Sequence, residues 1–534
     1  MNVNEFRQYG GQMIDVVANY WETLRKRVPL PDVKPGYINE LVPQDPPVTS
    51  EPWEKIFDDI NKAIVNCNTH WQHPNFFAYF PTGISYQSIM GDILSGGLAS
   101  IGFSWQSSPS MTELEISMTN WLAKALQLPV EFLNSKTGAG VGIIQSTASD
   151  ATYVAILAAR GRVIERIKAS EGDTSNELEV ISDNSGELCY YPYHDATVIT
   201  KLVAYCSDQA HSSVEKGVML AGMRLRKLKT VRGGHFDNFS VTASILEEAI
   251  MIDRKNGLVP FIFIMTLGTT STCAVDPVDE LAPICRRENI WIHIDSAYAG
   301  NLFKLISNKK RKKENEMKKF KEKDLRAFLL CPEYRYLSRG FEYIDSFNMN
   351  AHKALPINFD CSPMWFRNGK EIMKYFAVNP IYLKHNKTAV DYRVISLHNL
   401  HFQIALGRRF RSLKIWFVLR NFGIDGLQKH LRKMIELAKN FEELIQKDTL
   451  FELFVPRTWG LVCFRLKDST NEMNEELSRR INEDRRIHVV ASVVHEVYFL
   501  RLAACSELTT HEDIRQAHAI IHNFAEDVRK DMKQ

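Results

Sequence analysis

The most unusual residue of this 534-residue chain is a lysine in an otherwise apolar stretch. Residues 347–363 read FNMNAHKALPINFDCSP, and Lys353 has His352 before it and no acidic residue within five positions. An ammonium group is costly to bury alone, so such a lysine lies at the surface, pairs with a distant residue or carries a covalently bound group. The stretch by itself leaves all three open.

A second chemical feature is the start of a predicted helix. The stretch GAGVGIIQSTASDATYV places a glycine-rich turn ahead of Thr147, Ala148 and Ser149, and apolar residues then recur at helical spacing. Free N–H groups and hydroxyls at such a helix start bind phosphate, or the Thr147 or Ser149 hydroxyl simply caps the helix. The sequence supports both interpretations equally, because the first strand and the later acidic residue of a dinucleotide site are not apparent.

Polar residues follow three apolar runs that we predict to be buried strands. KLVAYCSD leads to His211, FIFIMTLG leads to Thr269 and Thr270, and IWIHID ends in Asp295. Ligands bind beyond the carboxyl ends of strands in open α/β sheets, so these residues are candidates for a site. Each also has an ordinary explanation, namely a structural histidine, turn threonines, and a carboxylate that caps a helix or forms an ion pair.

Together these features match one cofactor. Pyridoxal 5'-phosphate has a phosphate suited to a helix N-terminus, a pyridine nitrogen that stays protonated beside a carboxylate such as Asp295, and an aldehyde that condenses with a lysine amine. Lys353 is then the residue that carries a group covalently.

The elements that must position these residues indicate an α/β fold. From about residue 86 to 300, apolar runs alternate with helical segments, which predicts a mostly parallel sheet. Residues 5–27 predict a helix with an apolar face, and the end of the chain mixes strands with charged amphipathic helices. We therefore expect an N-terminal helical and extended segment (1–85), a large cofactor domain (86–411) and a smaller α+β C-terminal domain (412–534).

Composition excludes several classes of function. There are 66 Lys and Arg residues against 63 Asp and Glu residues, a net charge of +3, which argues against a nucleic-acid partner. Nine scattered cysteines without ligand spacing indicate reduced thiols. The longest apolar run is too short to span a bilayer and no signal peptide is apparent, which predicts a cytoplasmic protein without stable membrane association. A basic insertion at about 304–329 reads as a solvated surface segment, or as a patch for an acidic partner or a membrane surface.

Several stretches are similar to the aromatic-L-amino-acid decarboxylase family, the group II pyridoxal-phosphate decarboxylases of animals. They are FFAYFPTGISYQSIMGDILSGGLASIGFSWQSSPSMTELE, SDQAHSSVEK, TLGTTSTC, HIDSAYAG, SFNMNAHK, NFDCS, NPIYLKH and LGRRFRSLKIWFVLR. The resemblance covers nearly the whole chain. It implies the pyridoxal-phosphate-dependent transferase fold type I, which is aspartate-aminotransferase-like, and a homodimer in which the N-terminal segment wraps around the partner.

The resemblance also implies roles for individual residues. Lys353 resembles the lysine that binds the cofactor, Asp295 the aspartate beside the pyridine nitrogen, and His211 the histidine stacked on the ring. The other implied cofactor positions are Thr147, Ala148, Ser149, Thr270, Ala297, Ser346, Asn350 and His352. The implied substrate pocket, supplied in part by the partner subunit, contains Tyr79, Phe80, Thr82, Ile101, Phe103, His211 and Gly407. Tyr382 resembles the tyrosine of a mobile loop that closes over the neighbouring subunit's site and supplies a proton.

The activity implied is decarboxylation of aromatic L-amino acids to amines and CO2. Aldehyde synthases of this family carry asparagine or phenylalanine where this chain has His211 and Tyr382. Gly407 replaces a serine of histidine and tyrosine decarboxylases and leaves room for a bulkier ring, which favours L-DOPA or 5-hydroxytryptophan, although VNPIYL is similar to the histidine branch. Because Ala351 and Ala354 depart from the family's proline and tryptophan, the alternatives are a histidine or tyrosine decarboxylase, an aromatic acetaldehyde synthase and a cofactor-binding homologue without turnover.

Overall fold

The computed structural model describes residues 1–135, 138–172, 179–183, 186–190, 192–301, 331, 336–376 and 402–532. The basic insertion and Tyr382 lie outside these ranges. The chain divides into two compact units, Thr82–Arg432 and the pair of segments Met1–Pro81 and Lys433–Gln534. Compactness thus groups the first residues with the last ones, whereas the division into three parts by role stays a prediction.

Strands and helices alternate through the middle of the chain. The strands in chain order are β1 (Val141–Gln145), β2 (Glu179–Asp183), β3 (Gly186–Tyr190), β4 (Leu202–Ser207), β5 (Arg224–Leu228), β6 (Val231–Gly233), β7 (Asn238–Ser240), β8 (Val259–Thr266), β9 (Trp291–Asp295), β10 (Ser346–Asn348), β11 (Ser362–Phe366), β12 (Phe451–Thr458), β13 (Leu461–Leu466), β14 (Val490–Val494) and β15 (Val497–Ala503). The α-helices are α1 (Val3–Thr23), α2 (Ile38–Leu41), α3 (Trp53–Asp59), α4 (Tyr86–Leu98), α5 (Pro109–Ala125), α6 (Ala148–Ser170), α7 (Ala196–Ile199), α8 (Ser212–Leu220), α9 (Ala243–Lys255), α10 (Val278–Arg287), α11 (Ala351–Ala354), α12 (Gly369–Phe376), and the helices Ser412–Lys447, Asn471–Asp484 and His511–Asp531. The helix Ser412–Lys447 is interrupted at Gly423, where φ is 63° and ψ is 174°.

The unit Thr82–Arg432 is organised around a seven-stranded sheet in the order β1-β11-β10-β9-β8-β4-β5. Strands β10, β9, β8, β4 and β5 pair in parallel, whereas β11 runs antiparallel to both of its neighbours. The three apolar runs that predicted buried strands are β4, β8 and β9. The predicted mostly parallel α/β fold is therefore confirmed.

Helix α6 packs on this sheet through the apolar positions that its sequence predicts. Ala151, Val154 and Ala155 are fully buried in a core that also contains Val141 and Ile143 of β1. Burying an amphipathic helix against a sheet face is what holds such a layer together. The start of α6, where the candidate cradle lies, is thereby fixed relative to the strands.

The predicted glycine-rich turn directly ahead of Thr147 is wrong, because strand β1 stands there. Gly142 lies within β1, and a Cβ atom at this position would come 2.6 Å from Cβ of Thr119 and 2.9 Å from Cδ1 of Trp365. The glycine therefore permits close approach of helix α5 and the neighbouring strand rather than a turn around phosphate.

The second unit has its own core. Its antiparallel sheet has the order β12-β13-β15-β14, and Phe464 and Leu500 from the sheet pack with Ile514 and Ile521 of the helix His511–Asp531. These residues confirm the predicted small α+β domain. None of the described helices is both long enough and apolar enough to cross a membrane.

The predicted N-terminal helix is α1, but its apolar face is not covered. None of its residues is buried, and Val3, Phe6 and Ile14 are 65%, 68% and 55% exposed. A capping box between Asn2 and Glu5 starts the helix. Local sequence therefore accounts for the helix, while its apolar side chains gain nothing from packing within the chain.

Candidate functional site

Lys353 lies in the short helix α11, directly after β10. Its backbone N–H donates to the carbonyl of Asn350 at 3.1 Å, and the side chain is partly buried. The N–H of Gly83 donates to the carbonyl of His352 at 2.6 Å, and a Cβ atom on Gly83 would lie 1.8 Å from the carbonyl oxygen of Leu355. The segment that contains Thr82 and Gly83 therefore clamps the turn that carries the lysine.

Asp295 ends strand β9 and is 3% exposed. Its Oδ1 accepts a hydrogen bond from the N–H of Ala297 at 3.1 Å. Burial raises the pKa of the Asp295 carboxyl, while the charges of Lys353 and His211 lower it. A carboxylate that burial destabilises is stabilised further by a cationic group placed beside it.

His211 is the N-cap of helix α8, which begins at Ser212 as predicted. Its Nδ1 accepts from the N–H of Ser213 at 3.1 Å, so the neutral ring carries its proton on Nε2. Burial and then the charge of Lys353 lower the pKa of His211, and the charge of Asp295 raises it. The capping role and a place at the site thus coexist in this residue.

The start of α6 offers donors for an anion. Thr147 forms a capping box with Asp150, whose N–H donates to Oγ1 of Thr147 at 3.2 Å, so the capping explanation is correct for Thr147. The N–H groups of Ala148 and Ser149 belong to the first helical turn, which has no intrahelical acceptor for them. These two amides and the positive end of the helix can hold a phosphate.

Arg411 adds a cation next to this helix start, and the sequence interpretation did not single it out. Its Nη2 donates to Oγ of Ser146 at 2.9 Å, and its guanidinium pairs with Asp360 at 2.8 Å. The signal was present in the arginine-rich stretch LGRRFRS, but spacing alone does not indicate which arginine turns inward.

Two of the implied cofactor positions have structural partners. Nδ1 of His352 accepts from the N–H of Cys361 at 2.8 Å, and its ring packs edge-on against Phe359 at 4.8 Å between centroids. Ser346 is fully buried, with its hydroxyl 2.9 Å from Nε1 of Trp291 and 2.8 Å from Nδ1 of His293. Their side chains thus contribute to the architecture beneath the site.

The remaining cofactor positions lie where the strands end. The N–H of Asn350 donates to the carbonyl of Ala297 at 3.1 Å, which joins the ends of β9 and β10. Thr270 is exposed, whereas the Thr269 hydroxyl accepts from the N–H of Ala274 at 2.9 Å. The turn explanation is therefore correct for Thr269.

The implied substrate residues fall into both compact units. Tyr79 stacks on Trp71 at 5.4 Å, within the unit that contains the chain termini, as does Phe80. Thr82, Ile101, Phe103 and Gly407 belong to the other unit. A Cβ atom at Gly407 would lie 3.4 Å from Cγ2 of Ile101, so the structure brings these two positions together.

The residues of the Thr82–Arg432 unit fit pyridoxal 5'-phosphate. Asp295 is buried and responds to positive charge, Lys353 offers an amine within its electrostatic range, and the start of α6 offers anion-binding N–H groups. Among the described residues no cluster of His, Cys, Asp and Glu could hold a metal ion. The arrangement can therefore hold a phosphorylated ring by its phosphate, its ring nitrogen and its aldehyde carbon.

Comparison with known proteins gives concordant matches. The pyridoxal-dependent decarboxylase conserved domain matches residues 35–184, 188–320 and 327–467. An aromatic-L-amino-acid decarboxylase from Manduca sexta is 45% identical over 516 residues, covering 96% of this chain and 90% of the relative. The structure of Oryza sativa TDC with PLP and tryptamine superposes with a TM-score of 0.84 at 32% identity, covering 99% of both chains. The structure of a Rhodiola rosea 4-hydroxyphenylacetaldehyde synthase superposes with a TM-score of 0.81 at 31% identity, again covering 99% of both chains.

Proposed function

The chain belongs to the pyridoxal-dependent decarboxylase family, and from this premise we propose that it decarboxylates aromatic L-amino acids. The proposed substrates are L-DOPA and 5-hydroxytryptophan, and the products are dopamine, serotonin and CO2. One observation supports this most strongly: Lys353, Asp295 and His211 shift one another's pKa values where strands of the parallel sheet end. An amine, a buried carboxylate and a neutral imidazole in mutual range are the groups that this chemistry uses.

When bound, pyridoxal 5'-phosphate supplies an aldehyde that reacts with amines and a protonated ring that withdraws electrons from the substrate's α-carbon. Lys353 holds the aldehyde carbon until the substrate amine takes its place. Asp295 keeps a proton on the ring nitrogen, because its carboxylate is favoured by an adjacent positive charge. The N–H groups of Ala148 and Ser149 hold the phosphate, and His211 covers one face of the ring.

The α-carbon must be reprotonated after CO2 leaves. We assign this step to the phenol of Tyr382, in a loop that closes over the site of the neighbouring subunit. A phenol on a closing loop both delivers the proton to the α-carbon and excludes water. His211 and Tyr382 together favour amine formation over the aldehyde synthase alternative.

A homodimer is part of this proposal. Helix α4 exposes a row of large apolar side chains in the single chain, and α1 exposes another. On α4 the residues Tyr86, Met90, Ile93, Leu94 and Leu98 are 57%, 50%, 49%, 41% and 52% exposed. Contiguous exposed apolar surface marks an interaction site, and a second copy of the chain supplies the matching surface.

The oligomer is tested by sedimentation equilibrium of the unaltered protein and of Ile93→Lys. We expect a dimer that the charged substitution dissociates, and a monomeric unaltered protein would contradict the proposal. Ile252→Lys, at another partly exposed isoleucine on α9, is the matched control. A cytoplasmic location also stays a prediction.

The activity is tested by measuring kcat/KM side by side on L-DOPA, 5-hydroxytryptophan, tyrosine and histidine. We expect the first two to be preferred, whereas a preference for histidine would overturn the substrate assignment. Aldehyde and hydrogen peroxide as main products would instead identify an aldehyde synthase.

A cofactor-binding homologue without turnover is separated by a second measurement. The unaltered protein should show the visible absorbance of bound cofactor, and Lys353→Ala should not show the band of the lysine-linked form. Absorbance without CO2 release from any aromatic amino acid would favour the homologue without turnover.

A further inference from the structure

One face of two neighbouring strands carries a row of buried polar side chains. In β9 these are Trp291, His293 and Asp295, and in β10 they are Ser346 and Asn348. Ser346 pairs with His293 and Asn348 pairs with Asp295 in parallel register. Because successive residues of a strand point to opposite faces, these five side chains share one face of the sheet.

The first part of this row has a fixed hydrogen-bond direction. The indole of Trp291 only donates, and its Nε1 lies 2.9 Å from Oγ of Ser346. The Ser346 hydroxyl then donates to Nδ1 of His293 at 2.8 Å. The proton of the neutral His293 ring is therefore on Nε2, which points along the row. Burial lowers the pKa of His293 to about 3, so the ring stays neutral.

Asn348 lies between this imidazole and the Asp295 carboxylate. Nε2 of His293 and both amide atoms of Asn348 are buried and reach no acceptor or donor at full hydrogen-bond geometry within the described residues. The Asn348 amide nevertheless raises the pKa of His293 and lowers the pKa of Asp295. These signs require the amide oxygen to face the imidazole and the amide N–H to face the carboxylate, and a small rotation of one side chain satisfies all three atoms.

We propose that Trp291, Ser346, His293 and Asn348 form one directed hydrogen-bond chain that ends on Asp295. An obligate donor stands at one end and an obligate acceptor at the other, so the direction cannot reverse. His293 and Asn348 are then positioning residues, which hold the carboxylate oriented and ionised for the ring nitrogen of the cofactor. The inference rests on the proposed function and deepens it. Ser346 acts in this chain rather than at the phosphate.

Few other charges face this row. Lys353 and His211 face Asp295 and favour its ionised form. At the far end, the guanidinium of Arg162 lies 3.9 Å from the ring centroid of Trp291. Removing Asn348 thus takes away a neutral donor while these charges stay in place, so any change in the titration of Asp295 comes from the chain.

The test measures the Kd of pyridoxal 5'-phosphate for the apoprotein by fluorescence quenching, from mildly alkaline to mildly acidic pH. Asn348→Leu, which keeps the shape and removes the donor, should weaken binding by about 10-fold to 100-fold, the usual effect of one hydrogen bond to a charged group. The deficit should grow as the pH falls, because the Asp295 carboxylate protonates more readily without its donor. In an Asp295→Asn background the same substitution should add no pH dependence.

Two further variants separate positioning from packing. Phe347→Leu, in the same strand on the opposite face, disturbs packing alone and should keep the pH dependence of the unaltered protein. His293→Gln, which retains one acceptor and one donor, should bind the cofactor nearly as well as the unaltered protein. If Asn348→Leu does not fold, Ser346→Ala cuts the chain at another link and should show the same pH-graded deficit.

The outcomes are distinguishable. An unaltered protein that does not bind the cofactor contradicts the proposed function itself. Normal binding by that protein overturns only the hydrogen-bond chain if the deficit is constant with pH, if it equals that of Phe347→Leu, or if His293→Gln is as damaging as Asn348→Leu.

Discussion

Replacing Gly407 by serine should shift substrate preference away from bulky rings. A Cβ atom there would lie 3.4 Å from Cγ2 of Ile101, which is tighter than ordinary contact, and the serine hydroxyl extends the side chain further. The backbone at Gly407 is not left-handed, so the substitution adds no backbone strain. Pocket changes of about one methylene alter discrimination by roughly 10-fold to 200-fold. Because Ile101 is 57% exposed and can move aside, we expect the lower end, about 10-fold.

The assay compares kcat/KM for L-DOPA, 5-hydroxytryptophan and histidine between the unaltered protein and Gly407→Ser. The ratio of either bulky substrate to histidine should fall by about 10-fold, or about 1.4 kcal/mol of transition-state stabilisation. Gly407→Ala is the matched control, since it adds the Cβ atom without the hydroxyl and should give an intermediate ratio. An unchanged ratio in Gly407→Ser would refute the idea that space at this position selects the substrate.

Further perturbations test the proton donor, the core and the response to acid. Tyr382→Phe should leave CO2 release largely intact while amine formation falls by about 10²-fold to 10⁴-fold and aldehyde rises; mixed dimers with Lys353→Ala should regain one working site, and an unchanged amine yield would contradict the assignment. Glu115 pairs with Arg408 where both side chains are 1% exposed, so Glu115→Gln should lower the free energy of unfolding by about 3–5 kcal/mol in denaturant titration. Burial lowers the pKa of His352 from 6.5 to about 4. The unfolded chain therefore takes up a proton at a higher pH than the folded one, so stability is lost as the pH falls through this window; His352→Gln should flatten the slope of unfolding free energy against pH, by up to about 1.4 kcal/mol per pH unit.

The sequence was sufficient for the parts of the site that follow strands. Apolar runs with no polar interruption predicted β4, β8 and β9, and the residues after them therefore gave the order of His211, Thr270 and Asp295 along one sheet edge. This succeeds because burial on both faces leaves a continuous apolar signature that ends where the strand meets solvent.

Other features depend on partners far apart in the chain. The pairing of Glu115 with Arg408 joins residues of α5 and of the segment before the helix Ser412–Lys447, and neither local pattern indicates it. His352 was expected among cofactor contacts because it adjoins Lys353, yet its ring bonds to the N–H of Cys361. Adjacency in sequence fixes the backbone of a residue but not the direction of its side chain.

The antiparallel strand β11 has a consequence for the order of folding during synthesis. In the described sheet β1 pairs only with β11, with Val141 opposite Phe366, so the edge strand that precedes α6 waits for residues made much later. Parallel strands β4, β8 and β9 leave the ribosome before that and can associate among themselves. Pairing between distant segments is slow, because a long loop must close before any contact rewards it. The phosphate-binding end of α6 is therefore among the last parts to reach its native place, and a nascent chain truncated before β11 should remain unable to retain cofactor.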